Sequence, residues 1–413
     1  MSSLVSRRAT GRVLAGGPMT ESPGSSDDFR LADHALLIAI LALGMFGALM
    51  IASASMPLAE EDYGSPFYFV MRQLFFLAIG CAAGVLVFRL PLVVWERYGP
   101  HLIIISLCCL VLVLVPGIGK QVNGARRWID LGLFTVQVSE TVKLFVIVYL
   151  AGYLVRRGYL VQTTFGGFFR PLILICFASG LLLLEPDFGA SVVIVSTSII
   201  MILVAGVRFS QFLAIIAALG AVGSLLILSS PYRLARFLSF TEPFAPEMVY
   251  GSGYQLSQSL IAIGTGGLTG AGFGNSIQKL DYLPEPHTDF LFAVLSEELG
   301  LVGAIALILL YSFIVWRCFR LAKIADEQGN RFAGFLALGI GSWIGLQSFI
   351  NIGVNLGLLP TKGITLPLMS YGGSSAVVFI IAFALLLRIE WELRQNVRLT
   401  LGGRQQLPNG GVS

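Results

Sequence analysis

Two ionisable residues stand inside an apolar stretch that should form a membrane-spanning helix. Glu140 and Lys143 occur in the motif SETVK, and 12 uncharged residues separate Lys143 from Arg156. Those residues make about 18 Å of helix, whereas the hydrocarbon core of a bilayer is about 30 Å thick. Both charges should therefore lie below the membrane surface, on one helix face where they can neutralise each other. Such a pair either joins helices or marks a functional cavity, and the spacing leaves both interpretations open.

Two carboxylates occur where the chain is about to enter a helix. Asp187 lies in EPDFG, between two apolar stretches, and Asp289 lies in HTDF, directly before another. For Asp187 the sequence alone favours a helix cap or turn residue. A cap is also the favoured role for Asp289 taken alone, because the helix dipole stabilises a carboxylate there and Thr288 could add a capping hydroxyl. A carboxylate beside a substrate hydroxyl can instead act as a general base.

Basic residues accompany these carboxylates in the half of the protein that is expected to face the outside. The motif NGARRWIDLG places Arg126 and Arg127 shortly before the helix of Glu140, and Lys362 lies in LLPTKG. Arginine binds diphosphate through paired hydrogen bonds, although anchoring to lipid headgroups explains these arginines equally well. Together the charges predict an outward-facing polar cavity, suited to a substrate with a diphosphate and sugar hydroxyls. A proton-coupled transporter fits the same pattern.

Other polar residues of the predicted helices are assigned to packing. Glu297 and Glu298 lie eight and nine residues after Asp289, and on helical geometry the three cannot all face one small substrate. Glu298 is expected to pack against other helices. A stripe of amides at four-residue steps predicts contacts between helices, with a headgroup contact also considered for its last member. It consists of Gln347, Asn351 and Asn355.

The chain that carries these residues is too apolar to form a soluble surface. Of its 413 residues 56% are hydrophobic and 12% are charged, against about a quarter charged in typical domains. Ten continuous apolar stretches are long enough for membrane helices, which predicts an all-α polytopic bundle of ten transmembrane helices. They lie near residues 35–55, 68–88, 101–117, 136–155, 171–186, 188–207, 210–229, 288–316, 335–356 and 366–388.

The distribution of basic residues predicts the orientation. With ten spans both termini share a side, and 18 of the 27 Lys and Arg fall on it, which predicts cytoplasmic termini. Residues 1–34 and 395–413 are expected to be flexible cytoplasmic tails around a transmembrane domain at 35–394. Residues 230–288 then form a large extracytoplasmic loop between helices 7 and 8. Its apolar positions suggest a short amphipathic helix lying against the bundle.

Composition also excludes several classes of function. The net charge of +4 comes from scattered residues without a basic face, so nucleic acid is not an expected partner. The five cysteines lie in or beside apolar segments, which gives no disulfide framework. With three histidines and no Cys/His cluster, a structural zinc site is not expected either.

Five longer motifs together resemble one known family. They are YLPEPHTDFLFAVLSEELGLVG, NLGLLPTKGITLPLMSYGGSS, NGARRWIDLG, QVSETVKL and LLEPDFGAS. The chain resembles the SEDS proteins (shape, elongation, division and sporulation) over nearly all of residues 35–393. The doubled arginine and the long N-terminal tail look more like the division branch than the elongation branch.

The resemblance implies a peptidoglycan glycosyltransferase that polymerises lipid II on the outer face of the bacterial cytoplasmic membrane, at the division septum. It implies Asp289 as the catalytic residue, with Glu140, Lys143 and Asp187 as polar residues of the cavity. It also implies a class B penicillin-binding protein as the crosslinking partner, among other divisome membrane proteins. Further candidate substrate-binding residues are Arg126, Arg127, Lys362 and His287.

The residues suit that chemistry. Converting an α-linked diphosphate into a β-1,4 bond in one displacement needs a base for the acceptor hydroxyl, and Asp289 could supply it. It also needs stabilisation of the leaving undecaprenyl diphosphate, from Arg126, Arg127, Lys143 or a divalent cation such as Mg²⁺ or Mn²⁺. A lipid II flippase or transporter using the same cavity is the main alternative, and a non-catalytic scaffold is a second.

Overall fold

The computed structural model describes residues 25–122, 125–130, 132, 135–246, 248–361 and 363–404, and within these ranges the chain is mostly helical. The elements in chain order are α1 (Ser25–Tyr63), α2 (Tyr68–Arg89), α3 (Leu92–Leu114), β1 (Gly119–Val122), β2 (Ala125–Asp130), β3 (Thr135–Gln137), α4 (Val138–Thr163), α5 (Phe165–Leu184), α6 (Phe188–Val204), α7 (Phe209–Leu228), α8 (Pro231–Thr241), α9 (Tyr254–Gly266), α10 (Leu291–Glu327), α11 (Arg331–Asn355) and α12 (Gly373–Arg404).

The expectation of a helical membrane bundle is confirmed. Seven helices of the described chain (α1 to α5, α10 and α11) are long and apolar enough to cross a bilayer, and α6 and α7 contain shorter apolar helices. The count of ten spans stays a prediction. α1 begins at Ser25 and α12 continues to Arg404, so both helices enter segments predicted as tails. Residues 1–24 and 405–413 lie outside the described residues.

The expectation of an all-α chain is wrong in one place. Between α3 and α4 the chain forms a small antiparallel sheet with the strand order β1-β2-β3. Its first two strands pair antiparallel, with Val122 opposite Ala125. The register between them shifts at Lys120/Gln121. The last strand runs directly into α4, so the sheet is tied to the helix that carries Glu140 and Lys143.

Helix α4 lies at the centre of the bundle. It packs against α3, α5, α6, α11 and α12, and most of its residues are buried. Glu140 and Lys143 are therefore surrounded by protein rather than by lipid tails, which is the usual setting for charges at membrane depth.

The predicted loop at 230–288 contains two helices, α8 and α9. α9 packs against α10 and α11 and buries Leu256 and Ala262, in agreement with the expected amphipathic helix. Leu268, an apolar residue that the sequence suggested for this helix, lies beyond its end and is 70% exposed. The location of this region outside the membrane stays a prediction.

A break in α10 explains the glycine-rich sequence after α9. At Gly300 the backbone has φ of 65°, a conformation that favours glycine, so the helix is interrupted there. The freed backbone groups bind the segment after α9: Ala271 N donates to Glu297 O at 2.9 Å, and Leu301 N donates to Gly267 O at 2.9 Å. A β-carbon at Gly270 would collide with this part of α10. The glycines therefore allow two backbones to approach closely.

The two glutamates before this break hold the same segment. Glu297 accepts hydrogen bonds from Ile277 N at 3.0 Å and Gln278 N at 3.3 Å. Glu298 pairs with Lys279 at 2.8 Å and accepts a bond from Ser53 of α1 at 2.6 Å. The expected packing role of Glu298 is confirmed, and it extends to the segment that precedes α10.

The buried Lys279–Glu298 pair gives a test of this arrangement. Lys279→Met leaves the Glu298 carboxylate buried without its cation, so it should destabilise the protein by about 3 kcal/mol. The double variant Lys279→Met/Glu298→Gln removes both charges and should recover at least half of that loss. The measurement is thermal unfolding in detergent micelles. Equal losses in the single and double variants would contradict a role for the charge pair.

Candidate functional site

A polar cavity of about 1100 Å³ opens at one end of the bundle. Its walls come from β2, the first turns of α2, α4 and α6, the residues before α10, and the segment between α11 and α12. Of the predicted site residues, the cavity brings together Glu140, Lys143, Asp187, His287 and Asp289, together with Arg127. Arg126 is not among the lining residues, and Lys362 lies outside the described residues.

The predicted ion pair forms the inner wall of this cavity. Lys143 Nζ lies 2.8 Å from Glu140 Oε1 and 2.8 Å from Gln347 Oε1, and both ionised side chains are almost fully buried. The ammonium also lies 5.4 Å from the centre of the Trp343 ring. Ser375 donates to the second oxygen of Glu140 at 3.2 Å. The pair therefore joins helices, and it also lines the cavity; a functional role for it stays a prediction.

The amide stripe on α11 connects the ion pair with the residues before α10. Gln347 Nε2 donates to Thr365 O at 2.9 Å. One turn further, Asn351 Nδ2 donates to Asp289 O at 2.8 Å, and after another turn Asn355 Nδ2 donates to the same oxygen at 3.1 Å. Asn355 is fully buried, so the headgroup contact considered for it is wrong. These amides fix the main chain at Asp289.

Asp289 itself does not occupy the cap position of α10. That position belongs to Phe290 and has no side-chain capping bond, while the Thr288 hydroxyl donates to Glu285 at 2.9 Å. The Asp289 side chain is partly exposed and lies beside Gly363, where an added β-carbon would stand 3.2 Å from Oδ2. The geometry thus presents the carboxylate to the cavity from a main chain held by two amides.

Asp187 caps a helix and also lines the cavity. Its side chain caps α6 by accepting a hydrogen bond from Ala190 N at 3.1 Å, as the sequence suggested, and the residue also lines the cavity. Gly189, in the same turn, packs against Ile364 and Gly363, and Gly363 in turn packs beside Asp289. The EPDFG and HTDF motifs therefore meet across the segment that follows α11.

The two arginines of β2 have different surroundings. Arg127 lines the cavity, and its guanidinium donates to the main-chain oxygens of Glu185 at 3.2 Å and Pro186 at 2.5 Å. It therefore holds the turn that presents Asp187. The register between β1 and β2 shifts beside Arg127. An extra residue in one strand redirects the side chains around it, in agreement with the different surroundings of Arg126 and Arg127. Only Arg127 is placed to meet a ligand in the cavity.

The opposite wall contains His287, which was predicted from the sequence, and the aromatic residues Phe69 and Tyr371, which were not. His287 is buried between Phe69, at a centroid distance of 4.6 Å, and Tyr371, at 5.4 Å. Burial lowers the pKa of His287, although the Glu285 carboxylate opposes this, so the surroundings favour the neutral imidazole. Arg72 of α2 also lines this wall. The sequence indicates Arg72 only by its position as a single arginine inside the apolar stretch YFVMRQLFF.

No metal centre is preformed in the described ranges, where no group of three His, Cys, Asp or Glu side chains could hold an ion. Asp187 and Asp289 are carboxylates on the cavity wall. A hard divalent cation commonly combines one or two carboxylates with substrate phosphate oxygens, so these two residues could hold one only together with a ligand.

Comparison with known proteins defines the class of this protein. A family model described as "Cell cycle protein" (FTSW_RODA_SPOVE) matches residues 33–395. The chain therefore belongs to the FtsW/RodA/SpoVE family, the SEDS membrane proteins, and the resemblance seen in its motifs is confirmed.

The relatives identify the branch within that family. A protein of Thioalkalivibrio sulfidiphilus (strain HL-EbGR7), named "Probable peptidoglycan glycosyltransferase FtsW", is 47% identical over 386 residues, covering 93% of this chain and 96% of the relative. A protein of the same name from Coxiella burnetii (strain RSA 493 / Nine Mile phase I) is 48% identical over 360 residues, covering 87% and 96%. The likeness to the division branch is thus confirmed.

Solved structures share the fold. A chain from the structure described as "Structural coordination of polymerization and crosslinking by a peptidoglycan synthase complex" matches with a TM-score of 0.72 and 28% identity, covering 88% of this chain and 98% of that one. The rod shape determining protein RodA of Thermus thermophilus matches with a TM-score of 0.65 and 28% identity, covering 87% and 97%.

Glu185 is a buried acid beside the cavity that the sequence did not distinguish from a turn residue. Its side chain is fully buried, and neither carboxylate oxygen has a hydrogen-bond partner in the described part of the chain. Burial raises the pKa of Glu185 to about 8; the Asp187 carboxylate adds to this rise, and the Arg127 guanidinium opposes it. The residue directly after α5 is therefore mostly protonated at pH 7.

This raised pKa predicts a pH-dependent stability. The folded protein keeps a proton that the unfolded chain releases, so the free energy of unfolding should fall as the pH rises from about 4.5 to about 8. Glu185→Gln, which is neutral and of similar shape, should remove this part of the pH dependence and be more stable than the native protein at alkaline pH. Thermal unfolding in detergent across this range measures both effects.

The matched control for this experiment is Glu242→Gln at an exposed site. It should leave the pH dependence of the native protein unchanged. A Glu185→Gln protein with the native pH dependence would show that the Glu185 carboxyl is not protonated in the folded state.

Proposed function

We propose that this protein is a peptidoglycan glycosyltransferase that polymerises lipid II. The observation that supports this most directly is the Asp289 carboxylate, which faces the cavity from a main chain fixed by Asn351 and Asn355. The other walls offer cations for a diphosphate and aromatic and amide groups for a glycan. The names of the FtsW relatives and the match with a chain of a peptidoglycan synthase complex support the same activity.

The proposed topology has ten spans in the cytoplasmic membrane, at the division septum. Both termini and the tails at 1–34 and 395–413 lie in the cytoplasm, and residues 230–288 lie outside. This orientation opens the cavity to the outer face, where lipid II headgroups would be polymerised. A class B penicillin-binding protein is the proposed partner for crosslinking the product, with other divisome proteins around it.

In the proposed reaction the acceptor is activated by Asp289. Its carboxylate takes the proton of the acceptor 4-hydroxyl while that oxygen forms a bond to C1 of the donor sugar. The bond from C1 to the diphosphate oxygen breaks on the opposite face, and undecaprenyl diphosphate leaves with its electron pair. The α-linked donor becomes a β-1,4-linked product in a single inverting displacement.

The leaving diphosphate needs positive charge at the cavity wall. Arg127 can offer guanidinium donors there, and the Lys143–Glu140 pair contributes an ammonium from below the surface. A divalent cation held by Asp187 or Asp289 with the substrate's phosphate oxygens would supply further charge neutralisation. Transition-state charge is stabilised most by groups fixed before the reaction, which the contacts of Arg127 with Glu185 and Pro186 provide.

The first test replaces the proposed base. Asp289→Asn keeps the shape but cannot accept the proton, so polymerisation of lipid II by purified protein with its penicillin-binding partner should fall by at least about a hundredfold. Asp289→Glu should recover little, because the position of the carboxylate matters as much as its charge. Asp281→Asn, an exposed acid of the same segment, is the control and should keep native activity. Normal polymer from Asp289→Asn would refute the assignment.

The second test compares the two arginines. Arg127→Gln should lower kcat/KM for lipid II by about tenfold or more, the loss expected for a charge-assisted contact with diphosphate. Arg126→Gln removes the same charge one residue away but outside the cavity lining, so its effect should be much smaller. Equal effects would mean that general surface charge, rather than contact in the cavity, governs binding.

Lipid II transport by the same cavity is the alternative activity. In proteoliposomes with labelled lipid II, a polymerase yields glycan chains that depend on Asp289. Translocation of the label without polymer, at equal rates in the native and Asp289→Asn proteins, would favour the flippase instead.

A further inference from the structure

Arg72 of α2 is a basic residue of the cavity wall to which the proposed reaction gives no role. It shares a helix face with Phe69 and Phe76, which are buried in the bundle. Met71 and Leu74, on the other side of α2, are 64% and 46% exposed where lipid would surround the helix. Because Arg72 lies on the inner side and lines the cavity, its guanidinium is placed to meet a ligand there rather than a bulk lipid headgroup.

The basic side chains of the cavity wall differ in how far their charge is already neutralised. Lys143 and Lys120 each form an ion pair with a carboxylate, at 2.8 Å and 3.0 Å respectively. Arg127 donates to two main-chain oxygens. Within the described part of the chain Arg72 makes no ion pair, and the one hydrogen bond of its side chain goes to the neutral hydroxyl of Tyr68 at 3.1 Å. A guanidinium has several N–H donors, so Arg72 keeps its charge and most of its donors for a ligand.

The wall around Arg72 is joined to the residues before α10. Tyr371 N donates to His287 O at 2.9 Å, and the ring centroids of Phe69 and His287 lie 4.6 Å apart. His287 precedes Asp289 by two residues, so this wall lies on the side of the cavity from which the proposed base acts. Phe69, His287 and Tyr371 all line the cavity, and aromatic rings beside polar groups suit the C–H faces of a sugar. A substrate held on this wall would have its sugar beside Asp289.

We propose that Arg72 binds the diphosphate of the acceptor lipid II, an inference that rests on the proposed polymerase function. Polymerisation brings two lipid-linked sugars together, and each carries a diphosphate. The donor's diphosphate leaves, and Arg127 and Lys143 are assigned to it. The acceptor's diphosphate stays intact, and Arg72 offers it a cation on the wall beside Asp289. Arginine binds phosphate oxygens through paired hydrogen bonds, which would hold the acceptor while its 4-hydroxyl loses a proton to Asp289.

Three substrate analogues separate the acceptor from the donor in the test. The donor is lipid II whose GlcNAc lacks the 4-hydroxyl, so it cannot act as an acceptor. The first acceptor is lipid II with a methylene group in place of the anomeric oxygen, so its bond to the diphosphate cannot break. The second acceptor carries a neutral linker in place of the diphosphate. Each turnover then makes one glycosidic bond between a known donor and a known acceptor.

Arg72→Gln, assayed with the penicillin-binding partner present, should raise KM for the diphosphate acceptor about tenfold, because a charge-assisted contact is lost. KM for the donor and KM for the neutral acceptor should each stay within about twofold of the native values. Arg72→Lys should recover part of the loss, since it keeps the charge but not the paired donors. The matched control is Arg89→Gln, the same substitution at the exposed end of α2, which should behave like the native protein.

Equal losses with the charged and the neutral acceptor would overturn the proposal, because the substitution would then act through the fold. A raised KM for the donor alone would overturn it as well, since Arg72 would then bind the leaving diphosphate.

A binding measurement separates this proposal from the polymerase activity. Native mass spectrometry should detect a second molecule of the donor analogue on the native protein, and Arg72→Gln should need about tenfold more analogue to acquire it. Native protein that binds only one molecule would contradict the acceptor position. A second molecule that depends on Arg72, in a protein that makes no polymer from lipid II, would support the diphosphate site and count against the proposed function alone.

Discussion

The buried ammonium group of Lys143 is the interaction on which the rest of the site depends. An ammonium ion taken out of water loses several kcal/mol of hydration and is retained only where close partners replace the solvent. Here the partners are Glu140 from the same helix and Gln347 from α11, both at 2.8 Å. Ser375 of α12 is connected to the ammonium group indirectly, because it donates a hydrogen bond to Glu140. Three helices are therefore fixed relative to one another at the floor of the cavity by the need to satisfy one charge.

The amides of α11 extend this hydrogen-bond network from Lys143 to the main chain of Asp289. An amide side chain has both donors and acceptors, so it can bind a charged group on one side and main-chain groups on the other. Gln347 does this between Lys143 and Thr365, whereas Asn351 and Asn355 both donate to the main-chain oxygen of Asp289. The main chain that carries the Asp289 carboxylate thus belongs to this network even though the residue stands outside a regular helix.

The start of α10 is held from a second direction. The helix breaks at Gly300, and the residues after α9 supply hydrogen bonds to the groups that the break releases. Glu297 and Glu298 then bind the residues that lead towards the HTDF motif, and Ser53 connects them to α1. The segment before Asp289 is consequently tied to two helices, which explains why so many glycines and buried glutamates occur together there.

Much of this protein follows from the sequence because its signals are local. Apolar stretches of membrane length define the helices, and the helical repeat places Glu140 beside Lys143 and aligns the amide stripe without knowledge of the neighbours. Motif resemblance identified the family and the acidic residue before α10. By contrast, the strands around Arg127, the break at Gly300 and the aromatic wall at Phe69, His287 and Tyr371 depend on contacts between residues far apart in the chain. The direction of a side chain in such places depends on which part of the backbone approaches it. Only the tertiary structure therefore separated Arg127, which lines the cavity, from Arg126, which does not.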